Sequence, residues 1–231
     1  MGLKTELEEQ VGSIFRSRWT ERDGYVVPDD SSLKLENDGI NLDATVLYAD
    51  MADSTKLVQG HGSHFAAEIY KTFLLCAARI IKEEGGVITA YDGDRIMAVY
   101  LGKTKNTSAV RSALKIHWAT QNIIIPAMKA VYKTETYEIK HVVGIDTSKL
   151  FVARTGVRGA NDLVWVGRAA NYAAKLTALP HSYRTYITGD VHSVIDDSVK
   201  TSNGLSMWKP LTWNTLDNST IYGSTYWWAM S

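Results

Sequence analysis

Apolar residues recur at helical spacing at the start of the chain. Leu3, Leu7, Val11, Ile14 and Phe15 mark one face of a helix over residues 3–19. Residues 20–43 are polar, with Pro28, Asp29, Asp30, Ser31 and Ser32 in a row, and read as a linker. From Ala44 the pattern changes. Residues 44–49 form a short apolar run with β-branched members, which predicts a buried strand ending at Asp50. Asp53, Ser54 and Thr55 are N-capping types, and a long helical pattern follows over 55–83. Residues 87–91 and 95–101 read as two strands joined by a tight Asp92-Gly93 turn. A second helix is expected over 107–132, interrupted near Pro126. Strands follow at 137–146, 150–153 and 163–166, then a helix at 167–179, a strand at 186–188 and a short helix at 189–195. The tail, 204–230, is strand-rich and carries Trp208, Trp213, Trp227 and Trp228. This order, β-α-β-β-α-β-β-α-β with a β tail, predicts an α+β fold around a mostly antiparallel sheet. No internal repeat or low-complexity tract is present. Residues 1–43 are read as an N-terminal helix and linker, and 44–231 as one domain. The helix either caps its own domain or acts as a dimerising or docking element.

Composition narrows the classes. The 231 residues suit one sizeable domain. With 25 basic and 25 acidic residues the chain has no broad basic field, which argues against nucleic acid as a partner. The single cysteine, Cys76, excludes a disulfide framework and a multi-cysteine zinc site. No window approaches the ~18 apolar residues of a membrane span, and the charged start has no signal-peptide stretch. The expectation is a soluble, cytoplasmic protein with no membrane partner. His61, His64, His141 and His181 have no metal-ligand spacing. Seven Trp and twelve Tyr are many for this length and call for a structural reason.

Two aspartates stand where strands end in tight turns, Asp50 and Asp94, each beside an apolar run that tends to desolvate it. Such carboxylates repel unless protonated or bridged by a cation. Oxygen-only ligands favour Mg²⁺ or Mn²⁺ over zinc. The helix expected near Thr55 adds backbone N–H groups beside Asp50, a phosphate-binding feature. From the residues alone, two readings stay open: a nucleoside-triphosphate site, or a simple helix cap and a simple turn residue.

Four segments, in order, resemble the class III nucleotidyl cyclase catalytic domain over about residues 44–228. Residues 47–55, L-Y-A-D-M-A-D-S-T, are similar to the family's F-A-D-I-x-G-F-T. Residues 86–100, G-V-I-T-A-Y-D-G-D-R-I-M-A-V-Y, resemble its G-G-x-x-x-K-x-x-G-D-x-x-M-A-x-F hairpin. V-G-I-D-T-S at 143–148 resembles V-G-I-H-T-G, and V-G-R-A-A-N-Y-A-A-K-L at 166–176 resembles G-x-x-V-N-x-A-A-R-L. The resemblance implies a ferredoxin-like fold and a head-to-tail homodimer with sites at the interface. It implies two Mn²⁺ or Mg²⁺ ions on Asp50 and Asp94, with the Met51 carbonyl assisting. The backbone of Ala52, Asp53, Ser54 and Thr55 would cradle the triphosphate. From the facing chain, Asn171 would orient the ribose, and Lys175 stands in for the family's transition-state arginine. Their four-residue spacing puts both on one helix face. Arg158 lies near the family's phosphate-binding arginine, about one residue out of register.

The base-reading positions depart from the family. Where adenylate cyclases carry a lysine and an Asp or Thr, this chain has Ala90 and Val164, and the guanylate pair is absent too. A site that selects a base through hydrogen bonds cannot select adenine with those side chains. Tyr48, Tyr91 and Trp165 add bulk that would shrink the pocket toward a one-ring pyrimidine. The chain thus resembles the pyrimidine cyclases of bacterial Pycsar antiphage systems. The resemblance implies UTP as substrate and cyclic UMP as a messenger, acting on a cyclic-nucleotide-responsive effector through the product. The alternatives are CTP, then an adenylate cyclase with atypical base readout, then an inactive nucleotide-sensing module. The tryptophan-rich tail is expected at the dimer interface.

Overall fold

A computed structural model describes residues 2–230. Helix α1 (Leu3–Arg16) forms as the periodicity predicts, with none of its residues buried. The segment read as a linker instead joins the sheet. Its β1 (Thr20–Asp23) pairs in parallel with the start of β2 (Asp38–Ala52). β2 is therefore much longer than the apolar run at 44–49. Ile40, Leu42, Ala44 and Val46 alternate into one core, while Leu47, Ala49 and Met51 enter another on the opposite face.

The helix expected over 55–83 is two helices, α2 (Ser54–Gly60) and α3 (Ser63–Glu83), broken at His61-Gly62. The hairpin of β3 (Val87–Asp92) and β4 (Arg95–Tyr100) forms as predicted, but its turn is one residue later. Asp92 pairs with Arg95, which leaves Gly93 and Asp94 at the tip. Gly93 has φ +62°, a left-handed conformation that suits glycine. The β3–β4 register shifts between Ile88 and Ala90, a bulge in the outer strand.

Helix α4 (Lys105–Ala119) runs into one π-helical segment, Thr120–Ile124, and then α5 (Ile125–Val131), so the regular helix is interrupted just before Pro126, which sits in the first turn of α5. The two strands expected at 137–146 and 150–153 are one, β5 (Lys140–Val157). It pairs with β2 on one edge, and on the other with β7 (Thr185–Thr188) and then β6 (Ala160–Val166). Helices α6 (Arg168–Thr177) and α7 (Gly189–Val194) follow β6 and β7. The tail supplies a small ladder, β8 (Thr201–Ser202) with β9 (Leu205–Ser206), and two sheet strands, β10 (Lys209–Trp213) and β11 (Ser219–Ser224).

The main sheet runs β10-β11-β7-β5-β2-β4-β3, antiparallel except for β5 with β7 and the β1–β2 pair. Residues of α3, α4 and α7 share the core on one face, and residues of α6 share the cores on the other. The tail aromatics divide between the core and the surface, where Trp227 is 53% exposed. Trp208 and Trp213 are buried in the chain's own core, and Tyr172 packs edge-on to Trp213. Among the described residues, no helix is long and apolar enough to cross a membrane.

Candidate active site

Asp50 lies at the end of the β2–β4 ladder, where it pairs with Arg95 across the strands. The next residue back on the hairpin tip is Asp94, so the sheet register itself gathers the two carboxylates at one end of the fold. Burial, and then the nearby Asp94 charge, push the Asp50 carboxyl up to about 6. Arg95, the Thr177 hydroxyl and the Met51 backbone N–H act the other way. Asp94 carries a buried Oδ2 with no hydrogen-bond partner. An acceptor so placed needs a donor or a cation.

Two residues absent from the sequence expectations belong here. Thr177, at the end of α6, puts its Oγ1 3.4 Å from Asp50 Oδ2 and donates to the Ala174 carbonyl at 2.8 Å. Arg95 bonds Asp92 at 2.6 Å and lies over the Tyr48 ring. No local pattern could have found Thr177. Arg95 had a signal, since it directly follows Asp94 and occupies a strand position that β pairing brings opposite Asp50.

Beyond Asp50 the chain leaves the sheet. Met51 is buried, and β2 ends at Ala52. Asp53 adopts a left-handed conformation, φ +63°, and its carboxylate bonds Lys56 at 2.8 Å. It holds the N-cap position of α2 but makes no side-chain cap, contrary to the capping role expected of it. Ser54 and Thr55 form the first turn, and Leu57, fully buried, anchors it. Tyr70 of α3 supports the turn from behind through the Ser54 carbonyl.

Helix α6 presents the other expected group. It sits directly on β5 at Gly144, where a Cβ would come within 2.2 Å of the Ala173 carbonyl oxygen. Ala169, Ala170, Ala173, Leu176 and Thr177 face inward. Asn171 and Lys175 are exposed, and neither has a hydrogen-bonding or ion-pair partner among the described residues. The same helix therefore touches Asp50 with its inner face and offers Asn171 and Lys175 outward.

The candidate base-pocket residues divide. Tyr48 and Ala90 both pair with Met97, one from each side, so the three form a row across the sheet on the α6 face. Tyr48, Ala90 and Trp165 pack against one core cluster, whereas Tyr91 and Val164 point outward and are exposed. Arg158 is at the tip of the β5–β6 hairpin, at the opposite end of β5 from the pair of Asp50 with Val142. It cannot share a site with Asp50 of its own chain.

The donors present fit a hard divalent cation. No three His, Cys, Asp or Glu side chains converge among the described residues. The available donors are the Asp50 and Asp94 carboxylates and backbone carbonyl oxygen. That set suits magnesium or manganese, which accept water and phosphate oxygens for the remaining positions, and not zinc.

The fold recurs in known proteins. The chain is similar to the crystal structure of the adenylyl cyclase CyaB from P. aeruginosa, with a TM-score of 0.67, 18% identity, and 80% of this chain and 95% of that one covered. It is likewise similar to the guanylyl cyclase Cya2, with a TM-score of 0.68, 16% identity, and 82% and 95% covered. These likenesses define the fold as that of a class III nucleotidyl cyclase catalytic domain. No family model matches the sequence. A uridylate cyclase of Xanthomonas perforans is 58% identical over 229 residues, 99% of each chain, and one of Burkholderia cepacia is 50% identical over 232 residues, 100% of each. The chain belongs to the uridylate cyclase family.

Proposed function

We propose that the protein converts UTP to 3′,5′-cyclic UMP and pyrophosphate, at sites each shared by two copies of the chain. The observation that carries this reading is the buried, unpartnered Asp94 Oδ2 beside Asp50, whose carboxyl is raised to about 6. The fold thus holds two carboxylates where neither has enough donors of its own. Bound Mg²⁺ or Mn²⁺, two ions on Asp50, Asp94 and the Met51 carbonyl, would acidify the ribose 3′-hydroxyl and clamp the triphosphate.

The chain's own groups do the rest. The backbone N–H groups from Ala52 to Thr55, with no side chain capping the start of α2, are placed to donate to triphosphate oxygens. Asn171 of the facing copy orients the ribose so that its 3′-oxygen lies in line with the α-phosphorus. The 3′-hydroxyl gives up its proton to solvent as its oxygen bonds to that phosphorus, the bond to the β-phosphate oxygen breaks, and pyrophosphate leaves. Lys175 of the facing copy donates to the α-phosphate as negative charge builds there. It acts as a point charge without the two-pronged fork of arginine. Arg158, at its hairpin tip, is carried to the phosphates of a partner's site. The exposed, unpartnered state of Asn171 and Lys175 supports this division of labour.

Tyr48, with Arg95 over its ring and Trp165 in the same cluster, narrows the base site toward a single ring. Ala90 offers no hydrogen bond there. Outward-facing Tyr91 and Val164 would meet the base only from the partner side. The product is read as a cytoplasmic messenger in antiphage defence, reaching its effector by diffusion. Incubating the purified protein with Mn²⁺ and each of the four NTPs tests the reading. Cyclic UMP is expected, and a product from ATP alone would overturn it.

A further inference from the structure

Asn171 and Lys175 have no partner among the described residues to aim them, so the seat of α6 sets their direction. That seat has a polar lock at its first residue. Arg168 Nε bonds Asp146 Oδ2 at 3.1 Å, and its Nη2 bonds the Thr147 carbonyl at 2.8 Å. The same Nη2 reaches Asp146 Oδ1 at 3.4 Å and pairs with Asp190 of α7. Asp146, on β5, is completely buried and also accepts from the Thr188 hydroxyl at the end of β7. Beside it the Ala169 N–H donates to Ser148 Oγ at 3.0 Å. The guanidinium lies 5.5 Å from the centroid of the Tyr172 ring, one turn along the helix.

This lock is directional in a way that the alanine face of α6 is not. Small apolar residues against a strand let a helix rotate by some degrees at little cost. A guanidinium fork held on a fixed carboxylate and a carbonyl does not. Arg168, Asn171 and Lys175 stand at i, i+3 and i+7, on one stripe of the helix. Whatever fixes the rotation at Arg168 fixes it for the other two.

We infer that Arg168, gripped by Asp146 and Asp190, is a positioning residue for cyclisation: it sets the rotation of α6 and so aims Asn171 and Lys175 at the nucleotide on the facing copy. The inference rests on the shared-site reading above. It assigns a role to the Arg168–Asp146 pair, which the reaction itself does not touch.

The test uses full-length chains carrying two different tags, co-expressed and purified as mixed pairs, with whichever triphosphate the protein cyclises. Arg168→Met keeps the aliphatic stem and removes the fork. As a homodimer it is expected to lose about tenfold to a hundredfold in kcat, the scale of a misaimed catalytic group, with a smaller change in KM. Arg168→Lys should recover part of the loss. Paired with Asp50→Ala chains, Arg168→Met chains should regain activity, because one of the two sites then joins an intact aspartate wall to an intact α6. Paired with Lys175→Ala chains they should not, since both faults lie on the same wall. A kcat for Arg168→Met within about twofold of the parent, with Lys175→Ala inactive, overturns the inference. So does rescue by Lys175→Ala chains but not by Asp50→Ala chains. If Asp50→Ala and Lys175→Ala chains, each inactive, stay inactive as a mixed pair, the shared-site reading itself fails and this inference with it. Should Arg168→Met not fold, Asp190→Asn loosens the grip from an exposed carboxylate and enters the same pairings with the same expected outcomes.

Discussion

The guanidinium of Arg95 lies 5.5 Å from the centroid of the Tyr48 ring, while its backbone pairs across the strands with Asp50. One cation therefore faces the proposed base pocket and the proposed metal wall together. Its charge opposes the rise of the Asp50 carboxyl. In an Arg95→Met variant the Asp50 carboxyl is expected to titrate above its present value of about 6. A carboxyl-carbon NMR titration of metal-free protein checks this. An unchanged or lower value would remove Arg95 from the electrostatics of the site.

Asp50 also links pH to stability. Its carboxyl is raised from 3.8 to about 6 in the folded chain. Between those values the folded state holds a proton that the unfolded state has released. Stability therefore falls as pH rises through that window, and the loss persists above it. Asp50→Asn should make metal-free protein more stable at pH 7.5, by about 1–2 kcal/mol once screening of this partly exposed group is allowed for. At pH 3.5 the gain should vanish. Urea unfolding at both pH values, with a chelator present, decides it, and equal stabilities at pH 7.5 would contradict the assignment. The same substitution should abolish turnover.

Thr177 acts on the same carboxyl from the helix side. Thr177→Val removes an interaction that favours ionised Asp50. Metal binding requires that ionisation. The apparent affinity for Mn²⁺ should fall several-fold at pH 6 and hardly at all at pH 8, as followed by the EPR signal of free Mn²⁺. An equal loss at both pH values would point to lost packing.

Gly144 is the contact on which α6 rests. An added Cβ would stand 2.2 Å from the Ala173 carbonyl oxygen and 2.7 Å from Leu176 Cβ, and the backbone oxygen cannot swing aside. Gly144→Ala must therefore lift or tilt the helix. The expected cost is about 1–3 kcal/mol of stability, as for other overpacked sites. Turnover should drop well beyond what the lost stability explains. A variant that keeps full activity would show that the placement of α6 is not critical.

Local chemistry made some of this legible in advance. The hairpin could be read because Gly93 and the flanking alternation determine it within a few residues, and the aspartates came with it. The long strands β2 and β5 could not. Asp43, Ser148 and Lys149 interrupt their apolar runs, and only pairing with strands distant in sequence keeps those residues extended. The break between α2 and α3 had a signal in Gly60-His61-Gly62, but the surrounding apolar period overrode it. Thr177 and the Arg168 lock are tertiary facts. Each depends on where α6 lands, which no spacing within the helix records. The aromatic tail divides for a similar reason. Trp208 and Trp213 fill the chain's own core while Trp227 stays half-exposed, and the sequence does not distinguish the two environments.

The bulge between Ile88 and Ala90 has a second effect. β3 is an edge strand of the sheet, with Val87 and Tyr91 exposed, and such an edge can recruit strands from other molecules and seed aggregation. The irregularity spoils the regular row of amide groups that an incoming strand would need. The hairpin that carries a proposed metal ligand therefore also protects the chain from open-ended self-association.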